Sequence, residues 1–197
     1  MRPVFPLRIS RKVGSAERRQ IRRALENLPP LTGDPIWLCF SPALKVSRGR
    51  LLSGDHHPGT PVHAAAFVRQ RRIVLETELL KSPGKLRLIL LHEIFHFVWP
   101  RLGNRRRGEF AAILRNEASR GARYELGESS AAKKEQIGLR DRGQNTRLWR
   151  DYVCESFCDT AACCFAGVAS TGFRIAERWR KRREVWLRSV FSEERSC

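Results

Sequence analysis

Three observations predict an α+β fold for this chain. Short apolar runs with strand character cluster between residues 35 and 75, two longer helical stretches with start and stop signals follow near 83–99 and 148–166, and hydrophobic residues make up 42% of the 197 positions, enough for a real core. The expectation is one domain over 1–197, with a polar, basic insertion at about 101–147 and a basic C-terminal helix at about 173–191.

The elements are justified in order. Residues 15–28 read as a short helix: Ser15 can cap it, Ile21, Ala24, Leu25 and Leu28 share a face, and Pro29-Pro30 ends it. Ile36 to Phe40 is a short strand. Residues 48–61, rich in Gly, His and Pro, read as a loop. His63–Phe67 and Arg72–Leu75 read as two strands of a hairpin around Arg69-Gln70-Arg71. Ser82-Pro83 then supplies an N-cap followed by proline at the first helical position, and the helix runs to about Trp99, where Pro100 stops it. Residues 101–150 are Arg-rich with scattered glycines, read as one or two short, partly mobile helices. A clear helix from about Leu148 to Ala166 stops at Gly167, and a basic one from Phe173 to Phe191 carries Trp179 and Trp186, seven apart.

Composition narrows the setting. Lys and Arg number 38 against 20 acids, a formal net charge of +18, so anionic partners are natural candidates, nucleic acid first, although a basic composition by itself specifies none. The N-terminus has charge without an apolar core, unlike a signal peptide. The apolar run from Leu86 to Trp99 is interrupted by Arg87, His92, Glu93 and His96, too broken to span a bilayer, so no membrane partner is expected. Four of the six cysteines, Cys154, Cys158, Cys163 and Cys164, fall on one predicted helix, which is no disulfide framework; a reducing, cytoplasmic location is expected.

The chemistry concentrates in His92-Glu93-Ile94-Phe95-His96. Residues i and i+4 share a helical face, so both imidazoles can reach one ion. Glu93 lies about 100° round the helix from His92 and can serve a metal-bound water without taking a metal position. An ordinary core is the alternative, but burying all three polar groups on an apolar helix without a metal is costly. A catalytic zinc usually takes three protein ligands. The chain's five histidines stand at 56, 57, 63, 92 and 96, so none follows His96, leaving a downstream carboxylate or thiolate as the third ligand. Residues 151–173 contain no Lys or Arg and read as buried, yet carry Asp151, Glu155 and Asp159 at i, i+4 and i+8. Glu155 as ligand and Asp159 as hydrogen-bond partner of a ligating histidine would satisfy both buried carboxylates; pairing with arginines of the insertion is the alternative. Asp151, near the helix start, suits a capping role.

These motifs resemble the gluzincins: His92-Glu93-Ile94-Phe95-His96 followed by Glu155-Ser156-Phe157-Cys158-Asp159 is similar to the HExxH plus ExxxD pattern. The resemblance covers roughly residues 60–100 and 148–167. It implies a zincin-like core, a small antiparallel sheet packed on the HExxH helix and a second, Glu-bearing helix. It also implies a zinc-dependent metallopeptidase with one zinc per chain on His92, His96 and Glu155, Glu93 as catalytic base, Asp159 orienting His92, and a protein or peptide substrate. The short length and the preceding strands look like the compact minigluzincins, and Glu155 to Ala162 resembles HtpX-like and ImmA/IrrE-like peptidases. The gap between His96 and Glu155 is long for compact members. No histidine is present downstream to steady an oxyanion, and Tyr152 stands one turn before Glu155.

Two other readings compete. Cys154 and Cys158 are also i, i+4, and with His92 and His96 would make a closed structural zinc site; that leaves Glu93 without a role, and the cysteines lie about 100° round the helix from the Glu155/Asp159 stripe. Otherwise they are small buried hydrophobes. His56-His57 can bind metal but more usually marks a solvated turn. Arg105-Arg106-Arg107 and the cluster Arg178 to Arg183, interleaved with Trp179, can grip phosphates, which points to a nucleic-acid-binding regulatory protein or an accessory to proteolysis, although no known binding module is recognisable.

Overall fold

A computed structural model describes residues 7–29, 31, 33–167 and 175–193. Pro30, Phe173, Cys197 and the end of the Lys/Arg-free stretch lie outside them. The fold is α+β, and the chain divides into two compact units, Met1–Phe97 and Val98–Cys197. Among the described residues, no helix is long and apolar enough to cross a membrane.

In the first unit, β1 (Leu7–Ile9) leads into α1 (Ser15–Ala24) and back to β2 (Ile36–Ser41). Gly14, not Ser15, is the N-cap of α1, and the helix stops before the prolines: Leu25 is its C-cap and Asn27 turns into the left-handed region at φ 65°. Ile21 and Ala24 are its buried residues, as the face predicts. β2 alternates as a half-buried strand should, Ile36 and Leu38 fully buried and Trp37 48% exposed between them.

The stretch 48–61, expected as a loop, contributes two strands to a second sheet. β3 (Leu44–Ser47) pairs antiparallel with β4 (Arg50–Ser53) and with β5 (Thr60–Pro61). Arg48 and Gly49, at φ 48° and 74°, give the two consecutive positive φ values that a tight hairpin turn of matching twist needs. Gly59, at φ 145°, comes so close to β3 that a Cβ would stand 2.7 Å from the Val46 carbonyl oxygen.

β6 (Ala64–Phe67) and β7 (Arg72–Glu76) form the expected hairpin, with Arg71 left-handed at its turn. The sheet they join is mixed rather than antiparallel, in the order β1-β2-β7-β6, because β1–β2 and β2–β7 are parallel. Parallel neighbours require a crossover, and α1 supplies the first. Ile36, Leu38, Ile73 and Leu75, all fully buried, alternate with Trp37, Arg72 and Val74 along β2 and β7.

A 3-10 turn leads to α2 (Pro83–Val98), whose first bond runs from the Leu86 N–H to the Ser82 carbonyl. Arg87 donates to the Arg23 and Glu26 carbonyls at the end of α1, at 2.8 and 2.7 Å, satisfying acceptors that the helix leaves open. From Leu90 to Val98 every residue but His96 is buried, the signature of a helix enclosed on most sides.

The second unit is helical: α3 (Gly103–Ser119), α4 (Glu128–Lys134), α5 (Leu139–Gln144), α6 (Arg147–Ala166) and α7 (Glu177–Glu193). The expected short helices of 101–147 include one of 17 residues, α3, which buries Phe110, Ala111, Leu114 and Glu117. Its Arg-rich start masks this apolar stripe. Phe110, Phe157 and Trp186 pack ring to ring at 4.8 to 6.3 Å, with Trp99 on Phe157 at 5.0 Å. Thr146 caps α6, its hydroxyl accepting from the Trp149 N–H, and Gly167 ends it in the left-handed conformation.

Candidate metal centre

In the first unit, α2 carries His92, Glu93 and His96. Helical spacing stacks the two imidazoles one turn apart, ring centroids 4.9 Å apart and edge to face, and their Nε2 atoms converge to 3.2 Å. Two nitrogens on one tetrahedral zinc, each roughly 2.0–2.1 Å from the ion, stand about 3.3 Å apart, so this pair fits a zinc ligand pair. His92 and Glu93 are buried, and His96 is partly so. The remaining histidines are engaged elsewhere. His63 Nδ1 meets Glu76 at 2.8 Å and its Nε2 meets Lys85 at 2.8 Å, while the His56 and His57 rings stack on each other at 4.0 Å.

In the second unit, α6 carries Cys154, Glu155, Cys158 and Asp159. Asp159 is buried and its Oδ2 accepts the Ser130 N–H at 3.0 Å, in the first turn of α4. Gly127 permits that approach: a Cβ there would collide with the Asp159 carboxylate. A carboxylate has further acceptor capacity beyond one such bond. Burial pushes the Cys158 thiol well up, helped by Cys154, Glu155 and Asp159. Asp151 is not a capping residue; it pairs at 3.8 Å with Arg147, an exposed contact of little weight. Tyr152 donates to Glu125 at 2.6 Å inside the core.

Among the described residues, histidine, cysteine and glutamate side chains occur in groups that could hold a metal ion.

The sequence reading missed a buried ionic network in the second unit. Arg183, on α7, is fully buried. It meets Glu117 Oε1 at 3.0 Å, Glu125 Oε2 at 2.7 Å and the Ser156 hydroxyl at 2.9 Å, and Lys134 and Tyr152 add further bonds to Glu125. Burial alone would raise the Glu125 carboxyl; the Arg183 guanidinium, then Lys134 and the Tyr152 hydroxyl, outweigh it and hold Glu125 below its ordinary value. Arg183 was read as part of a phosphate-gripping surface, and its burial removes it from any such surface. Its neighbours are largely engaged too: Lys181 with Glu177, Arg182 with Asn116, Arg178 over the Trp179 ring. Arg105 and Arg106 both meet Glu109, and Arg107 meets Asn104. A single strongly basic helix with an odd arginine on its apolar stripe was the available signal, since Arg183 stands four residues from Trp179 and from Leu187, both buried.

Compared with protein-family models, curated proteins and solved structures, the chain gives no match.

Proposed function

We propose that the chain is a zinc-dependent metallopeptidase with a gluzincin-like site, on a zincin-like core. The observation that carries the reading is the convergence of the His92 and His96 Nε2 atoms to 3.2 Å beside the buried Glu93. His92 and His96 hold the ion, and Glu155 is the third ligand. A zinc bound there supplies Lewis acidity and brings the pKa of its water toward about 7. Glu93, next to the two ligating histidines on α2, would serve as the general base, its carboxylate taking up and releasing the proton. Asp159, anchored by the Ser130 N–H, orients His92 through its remaining acceptor capacity. β6, an edge strand, offers its backbone for pairing with an extended peptide substrate.

Elemental analysis tests the metal and a peptide-library digest tests the chemistry. Glu93→Gln should keep one zinc per chain and lose hydrolysis by roughly 10²–10⁴. Glu155→Ala should lose the zinc, and Asp159→Ala should weaken zinc affinity or activity by about 10–100-fold. A Glu93→Gln enzyme that still turns over ends the reading.

A structural zinc site on His96, Cys154 and Cys158 is the second reading, because the two cysteines stand one helical turn apart on α6. That set uses neither His92 nor Glu93, which is why the carboxylate set is preferred. Zinc retained in Glu155→Ala and lost in Cys154→Ser/Cys158→Ser would reverse the preference.

A further inference from the structure

We infer that the first unit binds single-stranded nucleic acid, on a row of alternating arginine and aromatic side chains that crosses its four-stranded sheet. The inference uses none of the metal-site residues and stands whether or not the chain is a peptidase.

Strand register builds the row. Arg8 on β1 is opposite Trp37 on β2, Trp37 is opposite Arg72 on β7, and Arg72 is opposite Phe67 on β6. Cross-strand partners share a face of the sheet, so the four side chains stand side by side. The Arg8 guanidinium lies 5.3 Å from the Trp37 ring centroid and that of Arg72 lies 4.5 Å from Phe67. Such pairs can be ordinary sheet stabilisation. Two facts go beyond that. Trp37 leaves 48% of its surface in water, where a buried contact would hide it. Neither arginine has an acidic partner among the described residues.

Charge points the same way. Between residues 8 and 26 the chain carries Arg8, Arg11, Lys12, Arg18, Arg19, Arg22 and Arg23 against Glu17 and Glu26. Arg11 and Lys12 lie just beyond β1, after Ser10; with Arg19, Arg22 and Arg23 of α1 they are exposed, and none is ion-paired among the described residues. An exposed ring flanked by guanidinium planes accepts an unpaired base by stacking, and exposed, unneutralised cations of the same unit add attraction for the phosphates. A sheet face of this kind fits a single strand; a duplex buries its base faces and offers only groove edges.

The experiment is fluorescence anisotropy of the full chain with a labelled single-stranded RNA of about 12 nucleotides, at about 50 and 200 mM salt. The wild type should bind at low salt. Trp37→Ala should weaken binding by about 5- to 150-fold, the loss expected for one stacked base, and Trp37→Phe should restore most of it. Arg19→Gln/Arg22→Gln/Arg23→Gln should weaken binding and flatten the salt dependence by up to about 0.7 per cation in logarithmic slope. Thermal melts of each variant confirm that the fold survives, as replacement of exposed side chains should allow. Wild-type affinity in Trp37→Ala, tighter binding of a duplex of the same sequence, or capture by phosphatidylserine vesicles without RNA binding would each overturn the inference.

Discussion

Helices α1 and α7 are both crowded with arginine, and they use it in opposite ways. On α7, Arg180 and Lys181 meet Glu177, Arg188 meets Glu184 at 2.8 Å, and Arg183 is withdrawn altogether into a pocket with Glu117 and Glu125. On α1, Arg19, Arg22 and Arg23 face solvent without an acid to meet among the described residues. A charge count treats the two as equal. What separates them is the neighbouring acids: α7 alternates them at i, i+3 and i+4, the reach of helical ion pairs, and α3 brings Glu117 to it from far along the chain. Net charge therefore overstates the cationic surface of the second unit and describes that of the first unit well.

The largest test of the contrast is to delete one arginine from each helix. Arg183→Met takes away the guanidinium that Glu117 and Glu125 share in the core, leaving Lys134 on Glu125 as the remaining ion pair among the described residues. Removing one partner of a buried ionic cluster costs about 3–5 kcal/mol. For a chain of this size that is a fall in Tm of roughly 6–20 °C. Arg22→Met should change stability by less than about 0.5 kcal/mol, as surface substitutions do. Equal melting points for the two variants would dissolve the distinction.

A pH series sharpens it. Glu125 has its carboxyl held below the ordinary range in the folded chain, by Arg183 first among the opposing charges. A depressed folded pKa means a stabilising contribution that is complete above the unfolded value, about 4.3, and lost as pH falls through the folded value. Chemical denaturation from pH 7 to pH 3 should show Glu125→Gln less stable than the wild type at neutral pH, with the gap closing below about pH 4. A gap that stays constant across the series would mean that the network holds Glu125 by shape rather than by charge.

Parts of this organisation were legible in the sequence, for identifiable reasons. The helix bearing His92 and His96, the helix ending at Gly167 and the hairpin around Arg71 follow from local signals: a proline at the first helical position, a glycine able to turn left-handed, and two short apolar runs either side of a polar turn. The convergence of the two imidazoles follows from helical geometry. The β3–β4 hairpin was hidden because Arg48 stands where a glycine or asparagine would have announced the turn. Parallel pairing of β1, β2 and β7 is a long-range property that no local window records. Glu117 and Glu125 stand 66 and 58 residues before Arg183, so their pairing emerges only when α3, the 120–127 segment and α7 come together.

The smallest expected effect is the most direct probe of why α7 is quiet. Its cations are neutralised by Glu177 and Glu184, both at least partly exposed, and the nearby Lys181 holds the Glu177 carboxyl below its ordinary value. Exposed pairs contribute little to stability, so Glu177→Gln/Glu184→Gln should shift the free energy of unfolding by no more than about 1 kcal/mol. What changes is the field. Arg180, Lys181 and Arg188 would lose their partners and join the phosphate-attracting surface. In a Trp37→Ala background, where stacking on the first unit is removed, this double variant should bind single-stranded RNA more tightly than its parent. Its salt dependence should be steeper by up to about 0.7 for each cation that engages a phosphate. If affinity and slope stay unchanged, ion pairing is not what silences α7, and the contrast with α1 reduces to their different burial.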